Sequence, residues 1–99
     1  MPWSYRFEYR KGDIVKTLPT QKPCQLCYAR IDVDLYEPAK VALDTIYDWV
    51  IPGGIIYFDD YVSVFTVGER IAIDEVLKRC IEKPFYNIGD RAYIIKGVA

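Results

Sequence analysis

Tyr28-Ala-Arg-Ile-Asp-Val-Asp34 and Pro52-Gly-Gly-Ile-Ile-Tyr-Phe-Asp-Asp-Tyr61 are the two stretches that decide the fold. Each carries a short apolar run that ends in acids: Ile31 leads to Asp32 and Asp34, and Ile55-Ile56-Tyr57-Phe58 leads to Asp59 and Asp60. An uninterrupted apolar run between turn residues reads as a strand buried on both faces of a parallel sheet. Between the runs, Leu35, Ala39, Ala42, Leu43, Ile46 and Val50 recur at helical spacing. Strand, helix, strand over this span is a βαβ unit with a right-handed crossover. Its strands run the same way, so both acid pairs emerge at one carboxyl edge, where open α/β sheets bind ligands. Carboxylates gathered there predict a hard-cation site, since Mg²⁺ takes oxygen ligands.

Working outward, the first strand spans residues 26–33 and its helix starts near Glu37-Pro38, where the missing proline N–H costs nothing. Pro52-Gly53-Gly54 reads as the helix stop and the turn into the next strand. On the amino-terminal side, Trp3, Tyr5, Phe7 and Tyr9 alternate with polar residues and would share one face of a strand, as a core face. Asp13 is placed to cap a short helical turn through Leu18, and residues 19–23 read as loop. On the carboxyl-terminal side, Thr66-Val-Gly-Glu69 is a capping box opening a second helix with Ile73, Val76, Leu77 and Cys80 facing the core. Phe85–Ile88 and Ala92–Lys96 then read as an antiparallel hairpin around a glycine-containing connection. The expected architecture is α/β: a partial Rossmann-like sheet, mostly parallel, with an antiparallel finish and two main helices.

The 99 residues are expected to form a single domain, and 52% hydrophobic content argues for a packed core rather than disorder. With 13 basic and 14 acidic residues the chain lacks the basic footprint of a nucleic-acid binder. No apolar run approaches the ~18 residues of a membrane span. There are three cysteines and no histidine, so Cys24-x-x-Cys27 cannot complete four zinc ligands. The pair runs into a strand instead of starting a helix, which argues against a redox motif. An odd cysteine count and no signal peptide point to a reduced, cytoplasmic protein.

Asp often caps helices and ends strands, which would account for one acid. Two pairs at one predicted edge are better explained by a metal or ligand site. Alternation makes Asp32 and Asp34 face alike, whereas Asp59 and Asp60 diverge unless the strand has ended.

With these residues in place, the chain resembles the carboxyl-terminal half of a class I S-adenosylmethionine-dependent methyltransferase, in the macrocin (macrolide-sugar) O-methyltransferase family. The resemblance rests on Gly12-Asp-Ile-Val-Lys-Thr-Leu-Pro19, Ile31-Asp-Val-Asp-Leu-Tyr-Glu-Pro38, Pro52 to Tyr61 and Gly68-Glu-Arg-Ile-Ala-Ile-Asp-Glu75, in consistent order over residues 5–96. It implies that Asp32, Asp59 and Asp60 hold Mg²⁺, which would orient a small hydroxylated acceptor and lower its hydroxyl pKa. It implies that Asp34, Tyr36 and Tyr61 flank this site, and that Gly12 and Asp13 pass near the adenine of S-adenosylmethionine. The family's Gly-rich cofactor loop and ribose-holding acid are missing from the sequence, as is its histidine base, so no catalytic residue is assigned.

The expected unit is therefore a truncated half-domain, inactive as an isolated monomer. Loss of the preceding strands would leave the strand at 26–33 with an open edge, and a homodimer is expected to form there unless residues 4–10 cover it. Two other classes compete. One is a non-catalytic assembly or regulatory module that keeps the half-fold. The other is a metal-dependent phosphatase or sugar-nucleotide enzyme, disfavoured because no Ser or Thr follows Asp34 where a phosphatase needs it.

Overall fold

The structure is a computed structural model and describes residues 9–59, 61, 67–86 and 91–98. In chain order the elements are α1 (Ile14–Thr17) with a 3-10 turn at Leu18–Thr20, β1 (Leu26–Ile31) and α2 (Tyr36–Ile46) with a 3-10 turn at Tyr47–Trp49. They continue with β2 (Val50–Phe58), α3 (Val67–Leu77), β3 (Phe85–Tyr86) and β4 (Ala92–Ile95). The sheet order is β1-β2-β4-β3. β1 pairs parallel with β2, and β4 pairs antiparallel with both β2 and β3. β1, β2 and β3 thus share a direction and β4 opposes them, the α/β arrangement expected from the sequence.

α1 forms because Asp13 Oδ1 accepts from the Val15 N–H at 3.0 Å, as its position predicts. α2 tolerates Pro38 because it lies in the first turn, beside Glu37, whose charge suits a helix N-terminus. Its buried residues Ala39, Ala42, Leu43 and Ile46 follow the three-four spacing of one helical face. α3 does the same with Glu69, Ala72, Ile73, Val76 and Leu77. Both helices join one core with Ile31 of β1, Ile56 and Phe58 of β2, and Ala92 and Ile94 of β4. The register puts these strand residues on the same face, because Ile31 pairs with Phe58, Phe58 with Ala92, and Ile56 with Ile94.

Four expectations need correcting. Val50 is not the last residue of the helical stripe. α2 stops at Ile46, and after the 3-10 turn Val50 opens β2, where it is 2% exposed. A valine four residues after Ile46 satisfies helical spacing whichever element it joins. Second, Pro52-Gly53-Gly54 is inside β2 rather than before it. Leu26 pairs with Val50 but Tyr28 with Ile55, so β2 places four residues, 51–54, where β1 places only Cys27, and the strand bulges there. Gly53 supplies the positive φ of +85° that this detour requires. Third, the strands are not buried on both faces. Among the described residues the face carrying Tyr28, Ile55, Tyr57, Tyr93 and Ile95 is only partly covered, with Tyr28 52% exposed. Fourth, Tyr9 is 96% exposed rather than on a core face. Trp3, Tyr5, Phe7 and Thr66 lie outside the described residues.

Gly54 marks a close approach of backbones. A Cβ there would lie 2.6 Å from Val50 Cγ1 and 3.0 Å from the carbonyl oxygens of Cys27 and Ile51. Gly54→Ala is expected to cost about 1–3 kcal/mol by overpacking, read as a lower urea midpoint. An unchanged midpoint would show that the β1–β2 bulge relaxes freely.

No helix among the described residues is long and apolar enough to cross a membrane. Cys24 and Cys27 are exposed free thiols, whereas Cys80 packs half-buried against the core from the turn after α3, not from the helical face expected of it, since α3 ends at Leu77.

Candidate functional site

The parallel β1–β2 pair ends with Ile31 opposite Phe58, and the Asp59 N–H donates to the Ile31 carbonyl at 3.1 Å. Asp32 and Asp59 therefore leave adjacent strands at the same carboxyl edge. They differ in environment. Asp59 is 8% exposed, while the Asp32 side chain is 50% exposed.

Between them reaches Arg30, one position before Ile31. Its Nη2 donates to Asp59 Oδ2 at 2.5 Å and lies 3.8 Å from Asp32 Oδ2. A second guanidinium completes the arrangement: Arg91 Nε donates to Asp59 Oδ1 at 3.2 Å. Both oxygens of Asp59 are thus engaged by cations of the chain. The hydrogen bond from Arg30 is the main reason that the Asp59 carboxyl titrates below its ordinary range; burial opposes it, and Arg91 adds to it.

A depressed folded-state pKa means that Asp59 contributes stability above its unfolded value, near pH ~4, and that this is lost as pH falls through the folded value. Asp59→Asn is expected to flatten the acid limb of the stability–pH curve while leaving its neutral-to-alkaline shape in place. Urea unfolding at stepped pH measures this, and an unaltered acid limb would place the acid-sensitive group elsewhere.

Neither arginine was singled out in the sequence, although signals for both were present. Arg30 and Asp32 are two apart on a strand and so share a face. Arg91 precedes Ala92, which pairs with Phe58, so an antiparallel register carries residue 91 to residue 59.

The remaining predicted site residues divide. Gly12 has a φ of +142°, and Asp13 caps α1. α1 borders an apolar cavity of about 160 Å³, lined by Ile14 and Leu18, by Ala29 and Val33, and by Arg30 and Asp32. Of the predicted site residues Asp32 lines this cavity and Gly12 and Asp13 do not; its volume is below the ~300 Å³ of ordinary small-molecule pockets. Asp34 is exposed just beyond β1. Tyr36 opens α2 and donates its hydroxyl to Glu75 Oε2 at 2.5 Å, tying α2 to α3. Tyr61 is 2% exposed, donates to Asp74 of α3, and has its ring centroid 6.2 Å from that of Phe58. Both tyrosines brace α3 through these bonds. Asp60 lies outside the described residues.

No group of three or more His, Cys, Asp or Glu side chains among the described residues is placed to hold a metal ion. As arranged, Asp32 and Asp59 do not fit Mg²⁺, because Arg30 and Arg91 take the oxygens of Asp59 that a cation would use.

Comparison with curated proteins returned no match. Among solved structures, the apo form of CalS11, described as a TDP-rhamnose 3'-O-methyltransferase of calicheamicin biosynthesis, aligns with a TM-score of 0.75 at 30% identity, over 90% of this chain and 40% of that one. The O-methyltransferase NovP aligns with a TM-score of 0.75 at 29% identity, over 82% of this chain and 34% of that one. A second CalS11 structure, described as a calicheamicin methyltransferase, gives 0.74 at 29% identity, over 89% and 37%. The chain therefore spans 34–40% of the length of these structures. The family described as Macrocin-O-methyltransferase (TylF) matches residues 4–95. On that match, and on the fold shared with the methyltransferases CalS11 and NovP, the chain belongs to the macrocin O-methyltransferase family.

Proposed function

We propose that the chain forms the acceptor-side half of an S-adenosylmethionine-dependent O-methyltransferase site that acts on a sugar hydroxyl. The observation that carries this reading is the convergence of Asp32, Asp59 and the α1 cavity at one sheet edge, in a chain of this family. S-adenosylmethionine, when bound, supplies an electrophilic methyl group. The chain's own contribution is to place the hydroxyl that receives it.

Of the two described acids, Asp32 is open to a substrate. Its half-exposed carboxylate can accept a hydrogen bond from the acceptor hydroxyl and hold that oxygen in line with the methyl carbon. Asp59 acts through Arg30, fixing the guanidinium beside Asp32. Gly12 and Asp13 set α1 against the cavity on the cofactor side. That cavity is too small for a whole cofactor, so the 99 residues provide part of its pocket and a second contribution completes it. β1 is an edge strand among the described residues, and a second copy adding to that edge is our reading of where the completing chain binds.

Incubating the chain with methyl-labelled S-adenosylmethionine and TDP-rhamnose tests the function. Label transfer that disappears in Asp32→Asn is the expected result, with a loss of about 100-fold or more for removal of a positioned acid–base group. Transfer unchanged in Asp32→Asn contradicts the role given to that residue. A second reading, a non-catalytic assembly or regulatory module, is favoured by the double engagement of Asp59. No transfer from folded, dimeric protein selects it.

A further inference from the structure

Asp59 holds the positive charge that the family resemblance would assign to a metal, but holds it on side chains. Its Oδ2 accepts from Arg30 and its Oδ1 from Arg91, at 2.5 and 3.2 Å. The carboxylate itself is nearly buried, whereas the Arg30 and Arg91 side chains are 52% and 55% exposed. The guanidiniums therefore cover Asp59 from the solvent side, the side from which an ion would arrive.

Geometry and charge both oppose simultaneous occupancy. Mg²⁺ binds oxygen at ~2.0–2.1 Å in near-octahedral geometry. An ion at that distance from either Asp59 oxygen competes with an N–H donor already pointing at the same atom. It would also lie within a few ångströms of two fixed positive charges. Arg30 and Arg91 balance Asp32 and Asp59 in sign, so these four groups present no net negative field to attract a dication. Guanidinium is more weakly hydrated than ammonium and pairs with carboxylate at low desolvation cost, which suits it to this half-buried position.

We propose that Arg30 and Arg91 take the place of a divalent cation at Asp59, making the carboxyl edge of this sheet a guanidinium-neutralised, metal-independent centre. This rests on the reading of that edge as the functional site.

The test is titration of the folded chain with Mn²⁺, read by loss of the free-ion signal in electron paramagnetic resonance and by thermal melting. The wild-type chain is expected to bind no Mn²⁺ more tightly than ~1 mM, the weak end of built cation sites, and its melting temperature should not respond to the ion. Arg30→Gln/Arg91→Gln is expected to gain one saturable site, at least roughly tenfold tighter, with a melt raised by Mn²⁺. Adding Asp59→Asn to that variant should abolish both gains. If the double variant does not fold without metal, Arg30→Gln alone is titrated. The proposal is overturned by wild-type binding that Asp59→Asn abolishes, or by a folded arginine variant that binds no better than wild type. Methyl transfer is scored separately with and without a chelator. Transfer missing both with and without the chelator, with the Mn²⁺ results intact, removes the enzymatic reading and leaves the metal-independent centre standing, whereas transfer that only the chelator abolishes overturns the proposal.

Discussion

Phe58→Ala is expected to remove about 3–5 kcal/mol of folding free energy, the usual cost of emptying a buried aromatic position. Phe58 is fully buried, pairs with Ile31 on one side and Ala92 on the other, and lies beside Tyr61. It is the last core residue of β2 before Asp59. Its loss would therefore loosen both the packing under α3 and the strand end that carries the ion pair. Domains of this size hold only about 5–15 kcal/mol in total. The melting temperature should fall by upwards of ~12 °C, while Phe58→Leu, which refills most of the volume, should fall much less. A small drop for Phe58→Ala would mean that the face towards the helices is not the stabilising core.

Glu82→Ala is expected to cost about 1–3 kcal/mol, because it takes the acceptor from two part-buried hydrogen bonds. Glu82 is 2% exposed and serves two donors: its Oε1 accepts from the Tyr47 hydroxyl at 2.5 Å and its Oε2 from the Gly97 N–H at 2.7 Å. Lys96 extends the network by donating Nζ to the carbonyls of Tyr47 and Val50, at 2.6 and 3.2 Å, with Nζ 4.0 Å from the Tyr47 ring centroid. One carboxylate thus joins the turn after α2, the segment after α3 and the end of β4. Burial alone would raise its pKa, but the Tyr47 and Gly97 donors outweigh it and the net shift is downward. Burial first, and then the bond to Glu82, push the Tyr47 hydroxyl up, so it stays a donor across the neutral range. Glu82 therefore stabilises the fold above its unfolded pKa, and that contribution disappears as pH falls through the depressed folded value. Urea unfolding at neutral pH should show the full loss in Glu82→Ala and a smaller one in Glu82→Gln, which keeps one acceptor. A loss under about 0.5 kcal/mol, typical of a surface change, would show that water serves these donors instead.

The βαβ unit was legible because its signals are local. Apolar runs, helical spacing and the acids after each run all sit within residues 28–61, and the structure keeps β1, α2, β2 and the common edge of Asp32 and Asp59. The limits of β2 were not legible, since Val50 suits a helical stripe as well as a strand, and Pro52-Gly53-Gly54 has the composition of a turn even when it forms a bulge. The half-open sheet face was hidden for a related reason: Ile55 and Tyr57 look as apolar as Ile56 and Phe58. The site was least legible in its charges. Arg30 meets a carboxylate 29 positions away and Arg91 one 32 positions away, and such pairs follow from sheet register rather than from any local pattern. A reading from residue types alone counts acids and infers a cation. Only the register shows that the chain supplies its own.

The most direct test of the account is a calorimetric titration of the folded chain with S-adenosylmethionine, at concentrations spanning monomer and dimer. The account predicts binding that is weak or missing for the monomer and saturable once a second copy adds to the β1 edge. Tight one-to-one binding by a monomer would contradict it, because the 99 residues would then contain the whole cofactor pocket.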